Sequence, residues 1–520
     1  MSSLARAAGA VSIATLASRI LGLCRDATRA ALVGAGGLSD ALDVAFKVPN
    51  LLRDLFAEGA FSGAFVPTLA GVRERDGDAA AFTTLNRVLS TLLVYVGLAV
   101  GLIVWFAPEI VVAITSAKFV ARPEFELTVV LVRLLAPFLF FISLAVAAMG
   151  ALNVFNRFFL PALSPALQNL ALVAGGGALL ALGLDGVEAA LPWALLLLVG
   201  GALQCAVQFP PLWRLGWRPR FLPDLTARHP ETRAVLSRML PVVGGMAATH
   251  VSIIINTKLA TSDVGGTSNL YYAFRLVHLP VGLVGVAVGT AVLSKASQAV
   301  ARRDEAAVRG SLVEATLLTL AFALPAAAGL AALGEPIARL IYLWGNATAE
   351  NAAAIGSTIR YFSVAVVFYC LVKVTVPVFY AQGRLRGPLI ASLVAVVCNL
   401  AVALATHPYL QWRGLALAVG VGQAANWLVL TWMLRSTLAG VGRRLLGHAF
   451  RLSVAAAVCG LAAWGTAEIL PRGDGWGARA VGALVPVGVG AVAYLGTAWI
   501  CGAKEALALL DSPRNRDYTP

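Results

Sequence analysis

Residues 18–69 read SRILGLCRDATRAALVGAGGLSDALDVAFKVPNLLRDLFAEGAFSGAFVPTL, and they combine two apolar segments of membrane-spanning length with ten charged side chains. A charge at the centre of a bilayer helix costs roughly 2.5–3.5 kcal/mol on insertion scales. The charged faces must therefore pair with each other or line a watery cavity. We predict a membrane protein with a cationic internal cavity. The ten charges are Arg19, Arg25, Asp26, Arg29, Asp40, Asp43, Lys47, Arg53, Asp54 and Glu58.

The composition of the whole chain also indicates a membrane protein. Of its 520 residues, 59% are hydrophobic and only 13% are charged, whereas soluble domains carry about 25% charged residues. The formal net charge of +14 does not indicate nucleic-acid binding, because the sequence shows no soluble domain with a basic stretch interleaved with aromatic residues, and excess Lys and Arg belong in cytoplasmic loops. The six cysteines form no C-x-x-C pair, so we predict neither a disulfide framework nor a zinc site.

About fourteen apolar segments are long enough to span a bilayer, which takes about 20 residues. The predicted fold class is an all-α polytopic membrane protein with about fourteen transmembrane helices. The predicted spans are 9–33, 38–69, 86–115, 127–153, 161–183, 189–213, 236–260, 269–297, 311–332, 356–381, 387–406, 413–435, 447–470 and 479–502.

The loop charges predict the orientation. Loops after even-numbered spans hold most of the arginines, and the richest is the loop between spans six and seven. Because positively charged loops stay in the cytoplasm, we predict that both termini are cytoplasmic, in agreement with an even number of spans. The polar end, residues 506–520, is predicted to be a short cytoplasmic tail.

A faint internal repeat divides the chain. Ala45-Phe46-Lys47-Val48 in span two resembles Ala273-Phe274-Arg275-Leu276 in span eight, and the R-x-x-x-P pattern of 157–161 recurs at 384–388, at nearly the same separation. Transporters often form their binding site between such repeats. We predict two six-helix lobes in a pseudo-twofold arrangement, 1–220 and 221–440, and a C-terminal addition of spans thirteen and fourteen, 441–505.

No enzyme motif is present. The five histidines are scattered, and the chain has no H-E-x-x-H, no G-x-S-x-G and no P-loop. We therefore predict a transporter with no catalytic residue, no metal ligand and no cofactor.

Basic residues at membrane depth are the candidate binding groups. We favour a ligand role for Arg19, Arg25, Arg53 and Arg275, because intramembrane charges are functional by default and guanidinium forks bind phosphate oxygens bidentately. A membrane-borne diphosphate is the predicted ligand.

Local pairing is the alternative for other charges. Interhelical salt bridges or snorkelling are favoured for Arg29, Lys47, Asp54 and Lys258. Helical spacing places Asp26 on the face of Arg19, and it places Asp43 where it could neutralise Lys47.

Several stretches resemble the MurJ (MviN) lipid II flippases, a bacterial family within the multidrug/oligosaccharidyl-lipid/polysaccharide exporter superfamily. The first is the SRILG…RD run from 18 to 26, followed by FKVPNLLRDLFAEGAFSGAFVP at 46–67. The resemblance continues through ALNVFNRFFLPALSPALQN (151–169), NLYYAFRLVHLPVGLVGVAVGTAVL (269–293) and VPVFYAQGRLRGP (376–388).

This resemblance implies a function and a place for it. The implied substrate is lipid II, an undecaprenyl diphosphate that carries the disaccharide–pentapeptide unit of peptidoglycan. The implied mechanism is alternating access, with two rocking lobes and spans thirteen and fourteen forming a groove for the lipid tail. The implied location is the bacterial cytoplasmic (inner) membrane, and other cell-wall synthesis proteins are possible partners. The cavity arginines of the family fall on Arg19, Arg25, Arg53 and Arg275, and Asp26, Asp40 and Glu58 match acidic positions in the same motifs. Beside this resemblance, we predict Lys47 and Lys373 as further supporting charges.

The chain departs from the family pattern in three places. Phe274 stands where many relatives have an acid, and Asp54 stands where another basic residue is frequent. Some members bind sodium in the second lobe, but here span eleven offers only Asn399 and no carboxylate, which makes sodium coupling doubtful.

Other functions remain open at the level of sequence. The chain could flip another polyprenyl-linked glycan or export drugs, although an exporter of cationic drugs should have an acidic cavity. A scaffold that recruits wall-synthesis enzymes without moving lipid is the alternative from another class, and it predicts that charge reversal at Arg25 or Arg53 is harmless.

Overall fold

The computed structural model describes residues 3–56, 59–384, 386–471, 473 and 475–503. This part of the chain contains nineteen α-helices and no β-strand, and a π-helical turn, Val281–Gly285, joins α12 to α13. In chain order, α1 to α19 are Ser3–Val33, Gly37–Phe56, Gly59–Trp105, Ala107–Ile114, Ala117–Val120, Glu124–Leu135, Phe138–Val154, Phe159–Ala181, Gly186–Ala206, Phe209–Arg214, Pro230–Ala260, Gly266–Pro280, Val286–Ala301, Glu305–Tyr342, Ala349–Ala381, Arg386–Leu410, Trp412–Met433, Gly442–Ile469 and Trp476–Ile500.

The second predicted span corresponds to α2 and the beginning of α3. The long helix α3 then continues into the third predicted span, and it bends sharply at Gly77. Gly77 has φ 82° and ψ 179°, a conformation that glycine adopts without the steric cost a side chain would impose. The two segments are therefore joined by a turn that only a glycine accommodates easily.

Ten helical stretches are long and apolar enough to cross a membrane. They are Phe61–Trp105, Glu124–Val154, Phe159–Ala181, Gly186–Arg214, Glu305–Tyr342, Ala349–Ala381, Arg386–Leu410, Trp412–Met433, Leu445–Ile469 and Trp476–Ile500. Neither α1 nor α2 is among them, since residues 14–33 of α1 carry four charges and α2 carries five. The all-α fold is confirmed, and the count of fourteen spans stays a prediction.

Contacts divide the chain into two compact units. Unit 1 comprises Met1–Ser268 and Trp344–Ala347, and unit 2 comprises Asn269–Leu343 and Thr348–Pro520. Position 220, the predicted end of the first lobe, lies inside unit 1 because α11 packs along α3. The lobes inferred from the repeat stay a prediction.

Unit 1 is organised around a large apolar core that includes Leu85, Leu131, Phe138 and Trp193, all of them buried. In this unit α1 packs on α8, α2 on α6, and α3 on both α7 and α11. The approach of α1 to α8 requires a glycine, since a Cβ on Gly176 would lie 2.5 Å from Thr28 Cγ2 and 2.8 Å from the Trp193 ring. This close packing sets the neighbours of the charged side chains on α1.

In unit 2, α14 packs against α15, α16 against α17, and α17 against α15. The last two helices, α18 and α19, pack against each other and against α14. A buried cluster that contains Leu320, Leu452, Cys459 and Tyr494 joins them, and Tyr494 Oη donates a 2.7 Å hydrogen bond to Ala321 O. The C-terminal helices are therefore an integral part of this unit.

Candidate charged site

On α1, Arg25 is held in a fixed orientation. Its Nε and Nη2 donate to Asp26 Oδ1 at 2.9 and 2.6 Å, and its Nη1 donates to Asn169 Oδ1 of α8 at 3.0 Å. Asn169 in turn donates to Ser18 O at 3.0 Å, so its amide bridges two levels of α1. The Arg25 side chain keeps 15% of its surface exposed, whereas Asp26 is buried.

Helical spacing allowed Asp26 to orient Arg19 or to restrain the arginine cluster, and the structure shows no bonded pair with Arg19 among the described residues. The long side chain of Arg25 folds back onto the adjacent carboxylate, and this contact replaces the pairing that helical spacing indicated. Arg19 is exposed, and it makes no hydrogen bond or ion pair within the part of the chain that the structure describes.

A second arginine of α1 joins this helix to α2. Arg29 Nη1 donates to Asp43 Oδ1 at 2.7 Å, and Arg29 Nη2 donates to the carbonyl and hydroxyl oxygens of Ser39 at 2.9 and 2.8 Å. Both charged side chains are almost completely buried. A buried ion pair is tolerated only when its geometry and additional hydrogen bonds offset desolvation, and Ser39 supplies them. The interhelical salt bridge predicted for Arg29 is confirmed.

Lys47 has a different partner from the one expected. Its Nζ donates to Thr257 Oγ1 of α11 at 2.9 Å, while the carboxylate of Asp43 binds Arg29. The predicted mutual neutralisation of Asp43 and Lys47 is therefore not a bonded pair. Asp43 binds a side chain of α1 and Lys47 binds a side chain of α11, so both groups bond to a neighbouring helix and not to each other.

Asp40 is a completely buried acid that holds the beginning of α12. Its carboxylate accepts hydrogen bonds from the Gly265 N–H at 2.7 Å, the Thr267 hydroxyl at 2.7 Å and the Ser268 N–H at 2.9 Å. Arg122 lies 3.9 Å away. The acid thus occupies the position of a helix N-cap, where unpaired N–H groups and the helix dipole favour negative charge. Asp40 is therefore bonded to residues 265–268 and has a structural role there.

The remaining basic candidate on α2 is Arg53, which is half-buried near the end of that helix and follows the internal Pro49. The side chain of Asp54 and the whole of Glu58, a predicted supporting charge, lie outside the described residues.

In unit 2, Arg275 and Lys373 are exposed. The guanidinium carbon of Arg275 lies 5.9 Å from the ring centroid of Tyr271. The neighbouring Phe274 stacks on His278, with ring centroids 3.8 Å apart, and His278 contacts Tyr369 edge-on at 5.0 Å. Phe274 is therefore part of an aromatic cluster with His278 and Tyr369.

Sequence reasoning missed the partners that come from distant helices. Asn169 and Thr257 lie 144 and 210 positions from the charges they bind. A polar amide within the apolar helix α8 was a usable signal for Asn169, because buried polar groups need partners. Among the described residues, no group of three or more His, Cys, Asp and Glu side chains could hold a metal ion.

Comparison with known proteins places this arrangement in a family. The family model described as "Lipid II flippase MurJ" matches residues 29–475. The chain belongs to this family. A lipid II flippase MurJ of Burkholderia cenocepacia is 34% identical over 430 residues, which cover 82% of each chain. A probable lipid II flippase MurJ of Rhizobium meliloti is 34% identical over 445 residues, with 82% of this chain and 80% of that protein covered.

Solved structures agree on the fold. A lipid II flippase MurJ in an inward closed conformation superposes with a TM-score of 0.78 and 23% identity, covering 96% of this chain and 99% of that one. An inward-facing multidrug resistance transporter of the MATE family in the MOP superfamily gives a TM-score of 0.65 at 16% identity, covering 81% and 95%. Together with the ten apolar helical stretches, these matches show a multi-pass membrane protein.

Proposed function

We propose that this protein is a lipid II flippase, a transporter that moves the diphosphate-linked headgroup of lipid II from the cytoplasmic to the periplasmic leaflet of a bacterial inner membrane. The proposal rests on two arginines of α1 whose side chains are at least partly exposed. Arg25 is held by Asp26 and Asn169 with part of its surface exposed, and Arg19 is exposed six residues earlier on the same helix. Membership of the MurJ family supplies the identity of the cargo.

The chemistry of these arginines suits a diphosphate. A guanidinium remains charged in proteins and presents paired N–H donors that match phosphate oxygens. Because Asp26 and Asn169 already fix the Arg25 side chain, binding at Arg25 costs little side-chain entropy. Arg19 is exposed, and we propose that it contacts the diphosphate as the headgroup moves.

The proposed binding set contains arginines of both units. Each arginine contacts the diphosphate at some stage of transport, and the remaining charges orient the arginines or hold the helices that carry them. The proposed contacts are Arg19, Arg25, Arg53 and Arg275, and the proposed supporting charges are Asp26, Asp40, Lys47, Glu58 and Lys373. Alternating access, the lipid-tail groove at α18 and α19 and the cytoplasmic location of both termini stay predictions.

The proposal is tested by depleting the protein in its bacterial host. The fraction of lipid II that an externally added, membrane-impermeant reagent can modify is measured before and after depletion. We expect this fraction to fall on depletion and to recover with the wild-type chain. Arg19→Ala and Arg275→Ala should restore it poorly, although both proteins reach the membrane in normal amounts.

Two results would contradict the proposal. Unchanged accessibility of lipid II after depletion would remove lipid II as the cargo. Full recovery with Arg19→Ala, Arg53→Ala and Arg275→Ala would remove the arginines from the mechanism and would favour the scaffold alternative. Arg75→Ala is the matched control, because Arg75 is an exposed arginine whose nearest acid is Asp76, 3.8 Å away.

A further inference from the structure

The connection between α10 and α11, residues 215–229, runs without regular secondary structure along α3; we name it the strap. Asn86 of α3 holds its first part at two points. Asn86 Nδ2 donates to Arg218 O at 2.8 Å, and Asn86 Oδ1 accepts from the Trp217 indole N–H at 2.9 Å. The Trp217 ring is buried and stacks on Phe209 at a centroid distance of 5.7 Å. The entry of the strap is therefore rigidly attached.

Two hydroxyl groups of α3 hold the middle of the strap. The Leu222 N–H donates to Ser90 Oγ at 2.9 Å, and the Asp224 N–H donates to Thr91 Oγ1 at 2.8 Å. At about 100° per residue, Asn86 and Ser90 share one face of α3 and Thr91 lies about 100° further around it, so the strap crosses from one face of the helix towards another. With the Arg220 N–H, which donates to Asn86 Oδ1 at 3.2 Å, three backbone amides of the strap are bonded to α3.

The end of the strap is anchored in the same way. Tyr95 Oη donates to Leu225 O at 2.8 Å, and the buried Asp224 carboxylate accepts from the N–H groups of Arg228 and His229 at 3.0 Å each. Burial opposes the ionisation of Asp224, but these backbone N–H groups outweigh it and hold the pKa of the carboxyl below its ordinary value. The exposed side chains of the strap are thus presented by a fixed backbone.

The strap presents apolar side chains to the outside. Phe221 is 66% exposed, Leu225 48% and Leu222 39%, and Trp213 at the end of α10 is 47% exposed. Single exposed apolar residues are ordinary, but four within thirteen positions on a well-ordered segment form a patch of the kind that marks a contact surface.

Arginines lie among these apolar residues. Arg214, Arg220 and Arg228 are exposed, and within the described residues their side chains make no hydrogen bond or ion pair. Arg218 differs, because its Nη1 caps the carbonyl groups of Trp213 and Trp217 at 3.1 Å. Asp224, the only acid of the strap, is turned inward, so the outward charge is entirely positive.

We propose that the strap and the end of α10 form a membrane-surface anchor that binds anionic phospholipid headgroups, with Arg214 of α10 and Arg220 and Arg228 of the strap at the phosphates and Phe221, Leu222 and Leu225 in the interfacial region. A basic segment with interspersed aromatic and aliphatic side chains is the composition that binds an anionic leaflet. The strap directly follows Gly186–Arg214, a helical stretch long and apolar enough to cross a membrane, so its beginning lies at the height of a bilayer surface. An acidic protein surface would satisfy the arginines but would leave the four apolar side chains without an apolar environment.

The first test uses the full-length protein in nanodiscs. The thermal unfolding midpoint is measured in phosphatidylcholine alone and in phosphatidylcholine with added phosphatidylglycerol. We expect phosphatidylglycerol to raise the midpoint, and we expect the rise to shrink at high salt. The triple variant Arg214→Gln/Arg220→Gln/Arg228→Gln should lose at least half of the rise while its midpoint in pure phosphatidylcholine stays unchanged.

The matched control is Arg75→Gln/Arg302→Gln/Arg384→Gln, which removes three exposed arginines that lie outside the strap and α10. This variant should keep the phosphatidylglycerol-dependent rise. An equal loss in both triple variants would show a general charge effect and would overturn a specific role for the strap. A rise that neither variant alters would also overturn it.

The second test locates the apolar residues. A spin label at position 221 of a cysteine-free full-length variant should be more accessible to oxygen than to a water-soluble nickel chelate in nanodiscs that contain phosphatidylglycerol. A label at position 75 should show the opposite preference. If the label at 221 behaves like the label at 75, the strap faces water, and an acidic protein partner becomes the better explanation of its charge.

Discussion

Several charged side chains are buried on α1 and α2 of unit 1, but those on α12 and α15 of unit 2 are exposed. On α1 and α2, Arg29, Asp40 and Asp43 are buried, and each has a bonded partner. In unit 2, Arg275 and Lys373 are exposed. A charge taken out of water requires a partner, whereas an exposed charge can exchange partners. The buried group of charges therefore holds helices together, whereas the proposed ligand contact in unit 2 belongs to the exposed group.

The largest expected effect comes from breaking the buried pair of α1 and α2. Arg29→Ala leaves the Asp43 carboxylate uncompensated in a buried position, and such a loss costs about 3–5 kcal/mol. We expect a strongly lowered unfolding midpoint in detergent, measured by thermal unfolding. The double variant Arg29→Ala/Asp43→Ala should be more stable than Arg29→Ala alone. A single variant as stable as the wild type would contradict the structural role of this pair.

The next effect concerns Asp40. Asp40→Asn removes the charge that three donors of residues 265–268 share, and hydrogen bonds to a charged group contribute about 1.5–3 kcal/mol. We expect a lowered midpoint for unfolding in detergent. Arg122→Gln is the control, and it should cost less because its guanidinium lies 3.9 Å from Asp40. If Arg122→Gln costs as much as Asp40→Asn, the ion pair and not the cap stabilises this region.

These pairings show how far sequence reasoning reaches. The high helix content, the apolar spans and the concentration of charge in residues 18–69 follow from composition and local spacing, and the family resemblance was confirmed by the match over residues 29–475. The partners of the charges did not follow. Asp26 binds Arg25 because an arginine side chain is long enough to fold back onto its neighbour, and Lys47 binds Thr257 because α11 packs nearby. The local spacing of residues predicts neither the conformation of a side chain nor a contact between residues 210 positions apart.

Exposed arginines should separate transport from stability. We expect Arg19→Ala or Arg275→Ala to reduce the rate of lipid II transport in proteoliposomes about tenfold, equivalent to about 1.4 kcal/mol, because each removes one of the proposed diphosphate contacts. Their unfolding midpoints should stay near that of the wild type, since surface substitutions usually change stability by less than about 0.5 kcal/mol. Arg75→Ala should change neither quantity. A loss of stability equal to that of Arg29→Ala would show that Arg19 or Arg275 belongs to the structural group.

The smallest effect extends the comparison to an acid outside the membrane-spanning helices. Asp224 is stabilised by backbone N–H groups, which hold its pKa below the ordinary value of 3.8, so it remains ionised in the folded protein at a pH where the unfolded chain has begun to bind protons. Its contribution to stability is complete above about pH 3.8 and is lost as the pH falls through the lowered pKa of the folded state.

Asp224→Asn should therefore lower the unfolding midpoint at pH 7, and the difference from the wild type should shrink towards pH 3. The exposed Asp76→Asn is the control and should show no such trend, since its carboxylate has only a loose contact with Arg75. A pH-independent difference for Asp224→Asn would show that hydrogen bonding by the side chain, and not its charge, fixes the strap.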